Sequence, residues 1–154
     1  MRMTKRSNIS MRVLMYCGVN DHMLVTKSDI AEACNTSENH LAQVINRLAQ
    51  LGFLHTQRGR NGGMRLSRPM GEITVGEVLR ATEAQVPITE CFDENENTCP
   101  LTSACRLRGV IANATEAFYG AMDDVTLADL VCQNDQLGAI LQMPLSCSNR
   151  SISA

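Results

Sequence analysis

A helical stripe that stops at a glycine and runs at once into a basic, glycine-rich tip constrains this chain most. Leu41, Val44, Ile45, Leu48 and Leu51 recur at i, i+3, i+4, i+7 and i+10, and Gly52 ends the run. Phe53-Leu54-His55-Thr56 and Met64-Arg65-Leu66 then flank the segment Arg58 to Gly63, RGRNGG. Two short extended pieces around such a tip predict a hairpin. Upstream, residues 8–20 read as a helix through Ile9, Val13, Leu14 and Cys17, broken by Asn20-Asp21-His22. Thr26-x-x-Asp29 resembles a capping box and opens a short second helix through Ile30, Ala33 and Cys34. Asn35-Thr36-Ser37 forms a turn, and Ser37 or Thr36 is placed to cap the striped helix. Two short helices, a polar turn and an amphipathic helix make a helix-turn-helix, and the hairpin after it reads as a wing.

Downstream, Thr74-x-x-Glu77 reads as another capping box and starts a fourth helix with Val75, Val78 and Leu79. Residues 84–104 lose periodicity, with Pro87, a run of acids and asparagines, and Cys99-Pro100, and read as a loop. From about Arg106 to Met122 a long helix resumes. Its Leu107, Ile111, Ala114, Phe118 and Ala121 form a narrow seam suited to a partner helix, the alternative being packing on its own domain. Thr126-x-x-Asp129 caps a short helix with Leu127, Leu130 and Val131, and the Ser-rich tail from Pro144 is expected to be disordered. The expected fold class is mainly α with a small β-wing, a winged helix-turn-helix plus a long dimerisation helix. The expected units are a DNA-binding domain over 1–82, a loop bearing three cysteines over 83–105, dimerisation and C-terminal helices over 106–142, and a tail over 143–154.

Composition agrees with that outline. Apolar residues reach 44% while aromatics are 3% with no Trp, which suits aliphatic and Met packing between helices. The apolar runs fall far short of the ~20 residues of a membrane span. The N-terminus is basic but has no apolar signal-peptide core, so a cytoplasmic protein is expected. The net charge of −2 hides an asymmetry: residues 1–80 carry 11 Lys/Arg against 6 Asp/Glu, and residues 81–154 carry 3 against 10. A basic first half suits a polyanion such as double-stranded DNA.

In a helix-turn-helix the exposed N-terminal side of the second helix enters the major groove. Opposite the apolar stripe lie Glu38, Asn39, His40, Gln43 and Arg47. Asn39, His40 and Gln43 are candidates for base edges and Arg47 for the backbone, since Asn and Gln can pair with adenine edges and Arg with guanine or phosphate. An ordinary solvent face is the alternative. In the wing, Gly62 and Gly63 would let the backbone approach phosphate, with Arg58 and Arg60 supplying charge. Asn61 is expected at positive φ in the turn. Arg2, Lys5, Arg6 and Arg12 add positive charge near the first helix. One such module covers only part of a specific site, so a homodimer on a palindromic operator is expected.

The chain holds seven cysteines. A disulfide framework is not expected in the cytosol. Cys17 and Cys34 fall on apolar helix faces and read as core thiols. Cys132 reads as half-buried, and Cys147 lies in the tail. Cys91-x7-Cys99-x5-Cys105 is different, with three thiols on irregular backbone and Cys105 near a helix N-terminus, where the dipole favours thiolate. Structural zinc normally takes four firm ligands, often in paired knuckles, and no such pair is present. An iron–sulfur cluster and a thiol–disulfide switch both remain open on spacing alone. His22, His40 and His55 all lie in the first half and no acid–base constellation accompanies any cysteine, so an enzyme is not expected.

The order of helix-turn-helix, RGRNGG wing, three-cysteine loop, CRL and long helix resembles the Rrf-type family of bacterial winged-helix regulators. The resemblance covers about residues 1–142 and rests on MRMTK, SENHLAQVINRLAQLGF, RGRNGG, CPLTSACRL and TLADLV. It implies a homodimer with one 4Fe–4S or 2Fe–2S cluster per subunit, the 4Fe–4S form being expected, held by Cys91, Cys99 and Cys105. It also implies that the cluster loop of one subunit lies near the DNA-binding domain of the other. Asn39-His40 and the TLADLV segment are most similar to the family's nitric-oxide-sensing repressors, while MRVLMYC and the cysteine spacing resemble its iron regulators equally well. Some nitric-oxide sensors draw a fourth ligand, an Asp, from the partner subunit. The matching position here is Asn8, a weaker iron ligand. The histidine of the cluster-assembly regulators, three residues after the last cysteine, is replaced by Arg108.

Overall fold

The computed structural model describes residues 3–83, 86–93 and 95–141. The expected tail over 143–154 lies outside them. Seven α-helices and one two-stranded antiparallel sheet are described: α1 Lys5–Val19, α2 Lys27–Ala33, α3 Glu38–Gln50, β1 Leu54–Gln57, β2 Gly63–Leu66, α4 Val75–Glu83, α5 Arg106–Asp123, α6 Leu127–Val131 and α7 Asp135–Leu141. In the sheet Leu54 pairs with Leu66, His55 with Arg65, Thr56 with Met64 and Gln57 with Gly63. The winged helix-turn-helix is formed as the sequence predicts.

α1 begins three residues before the predicted start because its first turn is polar. The Thr4 hydroxyl accepts from the Ser7 amide as N-cap. The capping box predicted at Thr26 and Asp29 is complete, as is its counterpart at Thr126 and Asp129. α3 differs. Ser37 is its N-cap residue but makes no side-chain cap, and Thr36 turns to the Cys34 carbonyl instead. At the start of α4 the Glu77 amide donates to Thr74, but the Glu77 carboxylate is taken by Arg68 at 2.5 Å.

The core lies where α1, α3, α4 and the wing meet. Leu14, Ile30, Leu41, Leu48, Phe53, Ile73, Val78 and Leu79 are buried there, joined from α6 by Leu127. Burying each such side chain contributes about 1.5–3 kcal/mol before entropy is counted. The C-terminal helices close over α1. Asn20, buried, donates its side-chain amide to the carbonyls of Tyr16 and Leu141.

α5 packs on α4 and none of its 18 residues is buried. The predicted seam is shifted. Phe118 packs against the core of its own domain and Ile111 is half-buried. Leu107 and Val110 are each 63% exposed, and Ala114, Ala117 and Ala121 are exposed with them. That 3-4-3-4 stripe is the face left uncovered. The spacing fitted both stripes, and the bulk of Phe118 is what turns one of them inward.

Candidate DNA interface and cysteine loop

α3 is aimed by its own stripe. With Leu41, Val44, Ile45 and Leu48 buried, Asn39, His40, Gln43 and also Asn46 are left exposed, while Arg47 is half-buried. Asn46, three residues after Gln43, belongs to this face although the sequence pattern alone did not single it out. Glu38, at the positive end of α3, is neutralised locally. It pairs with Lys27 at 2.9 Å and accepts from Ser28 at 3.1 Å, contacts that hold its carboxyl below the usual range.

The start of α1 joins this face. Lys5, Asn8 and Arg12 line one cleft with Asn35, Ser37 and His40, while Lys5 and Arg6 line the next with His40 and Gln43. Arg6 also meets Gln43 and Arg47 across a third. The cations of α1 and the candidate base-reading residues of α3 therefore form one polar strip. Arg2 lies outside the described residues.

The wing tip exposes Arg58, Arg60 and Asn61. The left-handed position is Gly59, at φ +116°, and not Asn61. The turn places its positive φ two residues early, so Asn61 is a projecting side chain rather than a conformational device. Gly62 and Gly63 are required by the hairpin itself. A Cβ on Gly62 would press on the Gln57 carbonyl, and one on Gly63 would lie 2.8 Å from the Val25 carbonyl. Met64 and Val25 exchange backbone hydrogen bonds at 2.8 and 3.0 Å, which fixes β2 to the α1–α2 connection.

The cysteine loop is irregular apart from a 3-10 turn over Glu90–Phe92. Cys91 sits in that turn, with the Thr89 hydroxyl 3.0 Å from its sulfur. Arg108, on the first turn of α5, donates its Nε–H to the Cys91 carbonyl at 2.9 Å and lies 5.1 Å over the Phe92 ring. The Cys99 amide donates to Asn97 at 3.1 Å, and its carbonyl accepts from Thr102 at 2.9 Å. Cys105 is the N-cap residue of α5. All three thiols are free and partly exposed.

As a donor set the trio fits a thiolate-ligated iron group, being partly exposed, uncrosslinked and carried on one irregular loop. The other cysteines do not. Cys17 and Cys34 are buried, and burial pushes the Cys17 thiol up to about 12 and the Cys34 thiol upward as well. Cys132, expected half-buried, is exposed because α6 ends just before it, and Cys147 lies outside the described residues. Among the described residues no three His, Cys, Asp or Glu side chains stand close enough to hold one metal ion, so the chain by itself does not draw Cys91, Cys99 and Cys105 together. Asn8 is exposed and faces a cleft lined by none of them.

A helix-turn-helix followed by a basic wing defines a DNA-binding protein of the winged-helix class. The chain belongs to the Rrf2 family, described as iron-dependent transcriptional regulators, which it matches over residues 3–133. It is 41% identical over 143 residues to the HTH-type transcriptional regulator NsrR of Geobacillus kaustophilus, covering 92% of this chain and 97% of that one. It is 40% identical over 144 residues to NsrR of Bacillus subtilis, covering 93% and 99%. Among solved structures, CymR, the global cysteine regulator of B. subtilis, superposes with a TM-score of 0.66 at 21% identity, covering 85% of this chain and 96% of that one. IscR of T. potens gives 0.64 at 23% identity, with 94% and 93% covered. The two structures bear on the fold alone. The family and the relatives are transcriptional regulators, and so is this chain, which is not an enzyme. No described helix is long and apolar enough to cross a membrane.

Proposed function

We propose that the chain is a homodimeric repressor that holds an iron–sulfur cluster on Cys91, Cys99 and Cys105 and leaves a palindromic operator when nitric oxide attacks that cluster. The observation that carries this reading is the contrast among the cysteines. Three free, accessible thiols share one irregular loop at the foot of an uncovered helix, while Cys17 and Cys34 are sealed in the core. The likeness of Asn39-His40 and TLADLV to nitric-oxide sensors supports nitric oxide as the signal, and the NsrR-named relatives are consistent with it. A bound cluster would supply iron and sulfide that react with nitric oxide and oxygen.

The chain's own residues do the rest. Asn39, His40 and Gln43 read base edges, with Arg47, Lys5, Arg6 and Arg12 on the backbone around them. Arg58, Arg60 and Asn61 at the wing tip reach the flanking phosphates or minor groove, and Gly62 and Gly63 keep that tip narrow. Two copies pair along Leu107, Val110, Ala114, Ala117 and Ala121, a stripe that runs most of a helix about 27 Å long. Small residues in its second half would let two such helices approach closely. Asn8 of a second copy is the candidate fourth ligand. It lies in the same cleft as His40, so a group docked there would bear directly on the reading helix.

Protein purified without oxygen should be brown, and stoichiometric nitric oxide should bleach its visible absorbance and release it from DNA. Colourless protein would sink the reading. The family's description as iron-dependent favours a second reading, in which iron supply itself is sensed through the same loop. In that case chelation lowers DNA affinity and nitric oxide has no selective effect. A cluster-free thiol switch predicts instead that Cys→Ser changes alter oxidant sensitivity without removing iron.

A further inference from the structure

Arg108 breaks a local rule. The positive end of α5 has no acidic residue in its first turn and carries two cations, Arg106 and Arg108, which oppose the helix dipole. Among the described residues no carboxylate lies within ion-pair distance of Arg108 to repay that cost. What Arg108 does instead is reach back across 17 positions to the Cys91 turn. Its Nε–H is spent on the Cys91 carbonyl at 2.9 Å, and its guanidinium plane covers Phe92 at 5.1 Å. On the side-chain side of the same cysteine, the Thr89 hydroxyl stands 3.0 Å from the sulfur.

We propose that Arg108 is a positioning residue for the cysteine site, a clamp that fixes the Cys91 turn to the first turn of α5. Cys105 is the N-cap of that helix, one turn from Arg108. The first and last cysteines of the loop therefore belong to one braced unit. Among the described residues Cys99 is held by short-range bonds to Asn97 and Thr102 alone, so it is the cysteine that travels when the three converge. Arg106 and Arg108, for which no ion pair is described, lie on the first turn of α5 directly after Cys105, where a net-negative, thiolate-ligated group held by that cysteine would feel both charges. That group would offset the cost they impose on the helix. The clamp rests on the cluster reading above for its purpose, but its geometry belongs to the chain alone.

The test compares full-length wild type with Arg108→Ala, Arg108→Lys and Phe92→Leu. In the iron-free chain, amide exchange over 90–92 should accelerate in Arg108→Ala, while exchange at 97–102 stays as in wild type. In reconstituted protein, Arg108→Ala should lose iron to a chelator roughly tenfold faster or more, with an altered visible circular dichroism, as removal of a supporting partner does at metal sites. Lysine keeps the charge without the planar fork, so Arg108→Lys should restore neither the spectrum nor the retention in full. Phe92→Leu should fall between. Unchanged exchange at 90–92 in Arg108→Ala would overturn the clamp, and so would complete rescue by lysine. A wild type that binds no iron would overturn the cluster reading instead, leaving the exchange measurement to decide the clamp.

Discussion

Glu83, the last residue of α4, accepts two hydrogen bonds from Thr4, at 2.8 Å from its amide and 2.9 Å from its hydroxyl. One carboxylate oxygen thus ties the N-cap of α1 to the point where the chain enters the cysteine loop. The bond is partly buried and charge-assisted, so Glu83→Ala should cost about 1–3 kcal/mol of unfolding free energy in a urea titration. Glu83→Gln keeps an acceptor and should cost less. Because Lys5 and Arg6 follow Thr4 directly, the alanine variant should also weaken DNA binding even with the loop intact. A variant as stable as wild type would show that the contact is not maintained in solution.

α5 is held on α4 by ion pairs, a ring contact and one close backbone approach. Arg80 reaches Glu116 at 2.9 Å and Asp123 at 2.8 Å while lying 4.7 Å over the Tyr119 ring. Beneath it, a Cβ on Gly76 would collide with the Asp123 side chain and backbone. Gly76→Ala should therefore be more disruptive than Arg80→Ala. Overpacking of this kind costs about 1–3 kcal/mol, and the backbone on one side leaves little room to relax. Arg80 is partly exposed, and its pairs are screened by solvent, so its loss should show mainly at low salt. Urea midpoints at two ionic strengths separate the two effects.

Binding to phosphate and binding to bases should separate by salt. Arg58→Ala or Arg60→Ala should lower the slope of log affinity against log salt by about 0.9 for each phosphate no longer neutralised. Asn39→Ala or Gln43→Ala should leave the slope unchanged and cost about 1–3 kcal/mol on the preferred sequence alone. Fluorescence anisotropy over a salt series, with specific and scrambled duplexes, reads both. An unaltered slope in both arginine variants would remove the wing tip from the interface.

The capping boxes at Thr26 and Thr126 were legible in the sequence because both partners lie within four residues. So were the α3 stripe and the hairpin after Gly52, which are periodic or local. The turn at the wing tip was misplaced, since RGRNGG offers positive φ at Gly59 as readily as at Asn61, and only the register of Gln57 with Gly63 decides. The α5 seam is only half legible for a tertiary reason, because its spacing fits a partner helix and the chain's own domain alike, and Phe118 packs against the latter. Thr4 with Glu83 and Arg108 with Cys91 lie 79 and 17 positions apart, and no local pattern marks either pair. Of the candidate site, the sequence showed which cysteines share a loop but not that they stand apart in the lone chain.

Cys17 links the buried core to pH. Its thiol is raised from 9.0 to about 12, first by burial and then by the neighbouring Cys34. The folded chain therefore keeps a proton that the unfolded chain releases. Stability from this group is fully present below pH 9 and is lost as pH rises toward 12. Cys17→Ala should flatten that alkaline limb while leaving stability at pH 7 slightly lower, because the sulfur no longer fills its place in the core. At pH 8 a short alkylation pulse should label Cys91, Cys99, Cys105 and Cys132 and spare Cys17. Early labelling of Cys17 would contradict the sealed core.

Asn8 offers the sharpest test of where the second copy meets the loop. It is exposed at the start of α1, in a cleft with Lys5, Arg12 and His40, and carries a neutral amide where a carboxylate would bind iron more firmly. If that amide oxygen is the fourth ligand, Asn8→Asp should slow iron loss to a chelator and slow bleaching by nitric oxide. The added charge lies beside Lys5 and Arg12, so the same change should weaken DNA binding by iron-free protein. Asn8→Ala should speed iron loss and leave that binding nearly unchanged. Opposite shifts in iron retention for Asp and Ala, read on one protein with one chelator, require that Asn8 touch the metal. Equal rates in all three proteins would assign the fourth position to another group and leave Asn8 as a residue of the DNA face alone.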